Sequence, residues 1–163
     1  MTANVRLMRI LHLIETSEPG GAETVLLSLA RGLRNRGHAC LVGLLETGWL
    51  HERLKEDGFE PFVLRHRGRY DFPCILELIK LLRQLSVDVV HAHEFTMNIY
   101  GTLAGVLARK PVVTTVHGKN YYPCKERRRL GYRIIARLST MVAVSQDLKR
   151  FLVREIGIRQ ARI

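Results

Sequence analysis

At 163 residues the chain has the length of one domain and is large enough to bury roughly 70% of the surface its unfolded form exposes. Its three cysteines, Cys40, Cys74 and Cys124, are odd in number and lack metal-type spacing, which argues against a disulfide framework and for a reduced compartment. No apolar run approaches the ~18 residues of a membrane span, and the net charge of +11 is lopsided: residues 1–118 hold 14 basic and 12 acidic side chains, residues 119–163 hold 12 and 3.

In chain order, the apolar run at 9–14 reads as a strand leading into Glu15 and then Pro19-Gly20-Gly21. Val25, Leu26, Leu29, Ala30 and Leu33 next recur with helical period until Gly37. A second strand at 40–45, a short helix at 50–56, Gly58 and a brief strand at 61–64 follow, and 65–70 is a polar loop. Ile75, Leu78, Ile79, Leu82 and Leu85 mark a helix before the strand at 87–90, which runs into His91-Ala92-His93-Glu94. Ile99, Leu103, Val106 and Leu107 mark the helix before the strand at 111–116, which runs into His117-Gly118. A helix at 126–138, a strand at 141–144 and a last helix from the N-cap Ser145 to about Arg154 complete the pattern.

Strict alternation of apolar strands and amphipathic helices predicts an α/β fold: a single Rossmann-like, doubly wound parallel sheet with helices on both faces, in the order 3-2-1-4-5-6. That order makes strands one and four neighbours at the topological switch point. Gly20 and Gly21 then flank one crevice with the segment His91 to Glu94, and His117 lies one strand away.

Each of these clusters suits a chemistry. Two glycines opening a helix let backbone N–H groups approach a phosphate, although neither the GxGxxG fingerprint nor a P-loop is present. His91 and His93 on a strand point to one face, but no third zinc ligand stands at a persuasive spacing, so no metal site is expected. His117, after an apolar strand and before a turn-permitting glycine, is the acid/base candidate, because imidazole exchanges a proton near neutral pH. Glu46 reads as a solvated loop residue.

Arg129, Arg133 and Arg137 recur every four residues beside the apolar row Leu130, Ile134 and Leu138. This stripe is expected to meet an anionic membrane or an acidic partner; the bland alternative is a solvated charged face over a core-packed row. Only Tyr121, Tyr122, Tyr132 and Phe151 accompany the basic quarter, and no nucleic-acid motif frames it, so nucleic acid is not the expected partner.

The EPGGAE opening, the DVVHAHE and VVTTVHG segments and MVAVSQDLKRFL stand in one order and spacing that resembles the N-terminal domain of family 4 retaining glycosyltransferases of the GT-B fold. The resemblance covers essentially the whole chain. It implies that Gly20 and Gly21 lie near the donor diphosphate, His117 beside the reacting sugar, and His93 and Glu94 along the acceptor pocket. It also implies a nucleotide-sugar donor, a glycan or lipid-linked acceptor, no metal cofactor, and cytoplasmic work at the membrane face in polysaccharide, lipopolysaccharide or glycolipid assembly.

On this reading 1–163 is the acceptor-side domain, inactive alone, and the donor-binding C-terminal domain, with the family's E-x7-E motif, comes from a further domain or a partner subunit. Glu15 with Glu23 and Glu52 with Glu60 share that spacing but stand in the wrong domain for its role. Two other readings stay open. One is a nucleotide-binding Rossmann module of dehydrogenase or epimerase type, which the missing GxGxxG disfavours. The other is a non-catalytic adaptor that docks through the basic C-terminal region.

Overall fold

A computed structural model describes residues 6–68, 71–119 and 126–163; Arg69, Tyr70, Tyr121, Tyr122 and Cys124 lie outside the described residues. Six strands, β1 (Arg9–Ile14), β2 (Ala39–Leu44), β3 (Phe62–Val63), β4 (Val89–His93), β5 (Val112–Val116) and β6 (Thr140–Ala143), form one sheet in the order β3-β2-β1-β4-β5-β6. Every pairing is parallel. Among the described residues six α-helices alternate with them: α1 (Gly21–Arg34), α2 (Trp49–Glu56), α3 (Phe72–Gln84), α4 (Phe95–Leu107), α5 (Glu126–Leu138) and α6 (Gln146–Phe151). The sheet is doubly wound, and the strand order anticipated from the alternation is the one observed.

Alternate residues of β1 feed opposite faces, as its pleat requires. Leu11 and Leu13 pack with Leu78 and Leu82 of α3 and Met97 and Ala104 of α4, whereas Ile14 packs with Leu26 and Ala30 of α1 and Leu50 and Leu54 of α2. Each fully buried leucine stabilises the fold by roughly 2 kcal/mol. A third cluster joins Val116 and Met141 to Ile135 and Ala136 of α5 and to Leu148 and Leu152 beyond β6. Gly105 lets α4 press onto β5, since a Cβ there would collide with the Val112 side chain.

The termini of the helices follow local chemistry. Asp71 caps α3, its Oδ1 accepting from Cys74 N at 3.1 Å, and Ser145 caps α6, its Oγ accepting from Leu148 N at 3.1 Å, as expected for that serine. The last helix is shorter than its apolar pattern suggests. It passes at Leu152–Ile156 into a π-helical turn that Gly157 closes with φ 80°.

Three further expectations are corrected. β4 includes His91 and His93 rather than ending before them, because those histidines pair in register with polar-tolerant neighbours: His91 with His12 and Val113, His93 with Thr115. In α1 the inner stripe is Ala22, Glu23, Leu26, Leu27 and Ala30, while Val25 faces outward. In α5 it is Tyr132, Ile135 and Ala136 that are buried; Leu130, Ile134 and Leu138 stay 58%, 44% and 44% exposed rather than packing on the core.

Candidate functional site

The carboxyl ends of β1, β4 and β5 bring Glu15, Thr16, Glu94 and His117 to one edge of the sheet, beside the N-terminus of α1 with Gly20, Gly21 and Glu23. Open α/β sheets hold ligands at this edge, at the switch point between β1 and β4. Glu94 links β4 to α4 with φ 63° and ψ 173°. That region suits glycine, so a glutamate held there stores strain of order 1–3 kcal/mol.

What holds Glu94 is Thr16. The Glu94 Oε2 atom accepts from Thr16 N at 3.2 Å and lies 3.1 Å from Thr16 Oγ1, which also contacts Glu23 Oε1. The one hydroxyl proton of Thr16 serves one carboxyl group at a time, and Glu94 Oε2 also has the Thr16 N–H as a donor. Burial pushes the Glu94 carboxyl above the usual range, opposed by the bonds from Thr16 and helped by the nearby charges of Glu23 and Glu15. Glu15 takes a different role, its Oε2 accepting from Thr96 N at 3.3 Å in the first turn of α4.

His117 is half-buried at the end of β5, and its Nε2 stands 2.9 Å from Nδ1 of His93, with the two rings stacked at 5.2 Å. Burial lowers its basicity, partly offset by the Glu23 carboxylate. His117 is therefore neutral near pH 7 and able to accept a proton. His93 is fully buried, which corrects the expectation that it stands in the crevice; it backs His117 and does not face solvent.

Gly20 is extended, at φ −160° and ψ 175°, so its conformation does not demand glycine; an added Cβ would meet the carboxylate end of the Glu23 side chain, which would have to shift. At Gly21 no atom lies within 4 Å of an added Cβ, and the first turn of α1 is open there. The third imidazole that spacing failed to reveal is His12. It pairs with His91 across β1 and β4, and one ligand nitrogen from each of His12, His91 and His93 falls within 4.8 Å of the others.

The arginine stripe runs along α5. Arg129 contacts the Glu126 carboxylate at 3.0 Å and donates to Glu155 O at 2.6 Å, and Arg133 donates to Ile156 O at 2.6 Å. Those two guanidinium groups thus neutralise the carbonyl end of the turn after α6, in place of forming a free surface row. Arg133 and Arg137 also line a cavity of about 440 Å³ with Arg159 and Arg162.

The chain is thus a Rossmann-like, doubly wound α/β domain whose switch-point edge carries an open helix N-terminus, a carboxyl group and a histidine. The model of Glycosyltransferase Family 4 matches residues 19–163, and the chain belongs to that family. Comparison with curated proteins returns no match.

Among solved structures, Anabaena Alr3699/HepE in complex with UDP-glucose is 23% identical with a TM-score of 0.80, the match covering 94% of this chain and 42% of that one. A glycosyltransferase from Rickettsia africae ESF-5 is 23% identical with a TM-score of 0.82, over 98% of this chain and 42% of that one. UDP-GlcNAc 2-epimerase from Neisseria meningitidis bound to UDP-GlcNAc is 19% identical with a TM-score of 0.68, over 95% and 45%. The chain thus spans less than half the length of these proteins, and likeness at this identity establishes the fold, which transferases and an epimerase share.

Proposed function

We propose that this chain forms the acceptor-side half of a nucleotide-sugar-dependent, retaining glycosyltransferase. The observation that carries the reading is the juxtaposition of His117, Glu94 and the open N-terminus of α1 on one sheet edge in a family 4 chain. The sugar's anomeric carbon exchanges its bond to the diphosphate for one to an acceptor oxygen, and the acceptor's proton passes to His117.

Gly20 and Gly21 lie beneath the donor diphosphate. Backbone N–H groups of the first turn and the helix dipole favour its charge, and it approaches over Gly21, where space is open. His117 stands at the reacting sugar as a neutral acceptor, with His93 behind it fixing the ring by hydrogen bond. Glu94 borders the acceptor, its carboxyl group shaped for hydrogen bonding to a hydroxyl. The bound UDP-glucose of the Anabaena protein makes a uridine diphosphate sugar the first donor to try.

A second domain or subunit, corresponding to the rest of the matched structures, supplies most donor contacts, so this chain alone is inactive. The acceptor is a glycan or lipid-linked molecule in polysaccharide, lipopolysaccharide or glycolipid assembly at the cytoplasmic face of the membrane. Among the described residues no helix is long and apolar enough to cross a membrane. Docking is instead peripheral, on an anionic bilayer: the exposed row Leu130, Ile134 and Leu138 lies on the helix that also carries Arg133 and Arg137, in the segment where basic side chains outnumber acidic ones 12 to 3. Sugar transfer by the complete enzyme, with and without His117→Ala, tests the reading.

A further inference from the structure

Three imidazoles stand together behind the site, on one face of the sheet. His12 of β1 is the register partner of His91 of β4, so their side chains project to the same side, and His93, two residues along β4, joins them. His12 and His93 are fully buried. Among the described residues neither ring nitrogen of His12 has a hydrogen-bond partner, nor has His93 Nε2. A buried polar atom left unsatisfied is costly, and one ion bound to a nitrogen of His12 and to His93 Nε2 would satisfy two of these three.

The remaining nitrogens are arranged as those of metal-bound histidines are. His91 Nε2 lies 2.8 Å from Thr115 Oγ1 and His93 Nδ1 lies 2.9 Å from His117 Nε2, which leaves His91 Nδ1 and His93 Nε2 as the nitrogens an ion would take. A histidine that binds a metal through one nitrogen ordinarily anchors its ring through the other. Ligand nitrogens on a tetrahedral ion at about 2.05 Å stand about 3.3 Å apart, so a set within 4.8 Å has to close by up to about 1.5 Å on binding. An all-imidazole set suits zinc-class first-row ions and excludes magnesium and calcium, which take oxygen ligands.

We propose that His12, His91 and His93 form a binding site for a divalent transition-metal ion of the zinc class, and that the bound ion fixes the tautomer of His117. Coordination through His93 Nε2 places that ring's proton on Nδ1, where it is donated to His117 Nε2; His117 then keeps its own proton on Nδ1. The ion thereby leaves His117 a donor at Nδ1 with its Nε2 occupied, so that the metal-free chain, in which His117 Nε2 can donate to His93, is the form that offers His117 as a proton acceptor. The metal site is independent of the glycosyltransferase reading, and only the consequence for turnover rests on it.

The test is a titration of the chelator-stripped chain with Co²⁺ as the visible probe, with bound Zn²⁺ counted by equilibrium dialysis. The expected result is one ion per chain, a tetrahedral-type Co²⁺ spectrum, and affinity lowered by more than about 100-fold in His12→Phe and in His91→Gln, beyond the loss typical of outer-shell partners. His51→Gln, a remote histidine of α2, leaves binding unchanged, and circular dichroism checks that each variant is folded. Histidine-ring ¹⁵N spectra of the Zn²⁺ form should show His117 protonated at Nδ1. Absence of stoichiometric binding by the unaltered chain, or equal binding by a folded His12→Phe, overturns the site. A Zn²⁺ form whose His117 carries its proton on Nε2 overturns the tautomer link.

Discussion

Replacing Glu94 by glycine and, separately, by alanine isolates the backbone strain at the switch point. Both substitutions remove the carboxyl group and its contacts with Thr16 N and Oγ1, so side-chain terms cancel between the two. They differ in what the backbone tolerates. At φ 63° and ψ 173° glycine is unstrained, whereas alanine carries a cost of order 1–3 kcal/mol. Against this, alanine ordinarily stabilises relative to glycine by about 0.4–1 kcal/mol, because its unfolded chain has less freedom to lose. Strain wins, and Glu94→Gly should be more stable than Glu94→Ala by about 1 kcal/mol, read as a higher urea midpoint at unchanged slope. In the complete enzyme both variants should lose turnover. Alanine equal to or more stable than glycine would refute the claim that Glu94 is held in a strained conformation.

Acid should unfold the metal-free chain through its buried histidines. Burial lowers His12 to about 3 and His91 to about 4, with neighbouring histidine charge contributing to each, while the unfolded chain titrates near 6.5. The unfolded form therefore binds protons first, and the stability present above pH 6.5 falls as pH drops toward 4, by up to ~1.4 kcal/mol per pH unit for each group. Urea midpoints that do not change between pH 6.5 and 5 would contradict this. Liposome sedimentation should show binding to anionic but not neutral vesicles, weakened by salt and by exchange of Leu130, Ile134 and Leu138 for serine; no preference for anionic vesicles at low salt rejects the membrane face. Calorimetric titration of the isolated chain should give a Kd for UDP-glucose no tighter than roughly millimolar. Micromolar affinity, or comparable binding of NAD, would remove the half-site reading.

The sheet was legible because apolar runs and glycine turns alternate without a gap, and right-handed crossovers leave few orders for such a pattern. The site edge followed from it, placing Gly20, Gly21, Glu94 and His117 together. Three kinds of information were not legible. His12 is a single polar letter inside an apolar run, and only strand register discloses His91 beside it. Thr16 and Glu23 gain meaning through contacts with each other and with Glu94, and a polar residue on the inner stripe of α1 is invisible to a count of apolar spacing. In α5 two apolar rows compete, and periodicity cannot say that Tyr132 and Ile135 turn inward while Leu130 and Ile134 do not.

The central claim is met most directly by measuring transfer of a labelled sugar from uridine diphosphate sugars to membrane-extracted acceptors, by this chain alone, by the complete enzyme with its donor-binding domain, and by the complete enzyme carrying His117→Ala. Transfer should occur only with the donor-binding domain present, and His117→Ala should lower it ~10²–10⁴-fold, the range typical of a lost acid/base group, with stability unchanged. Full transfer by the chain alone, or undiminished transfer by a folded His117→Ala enzyme, would contradict it.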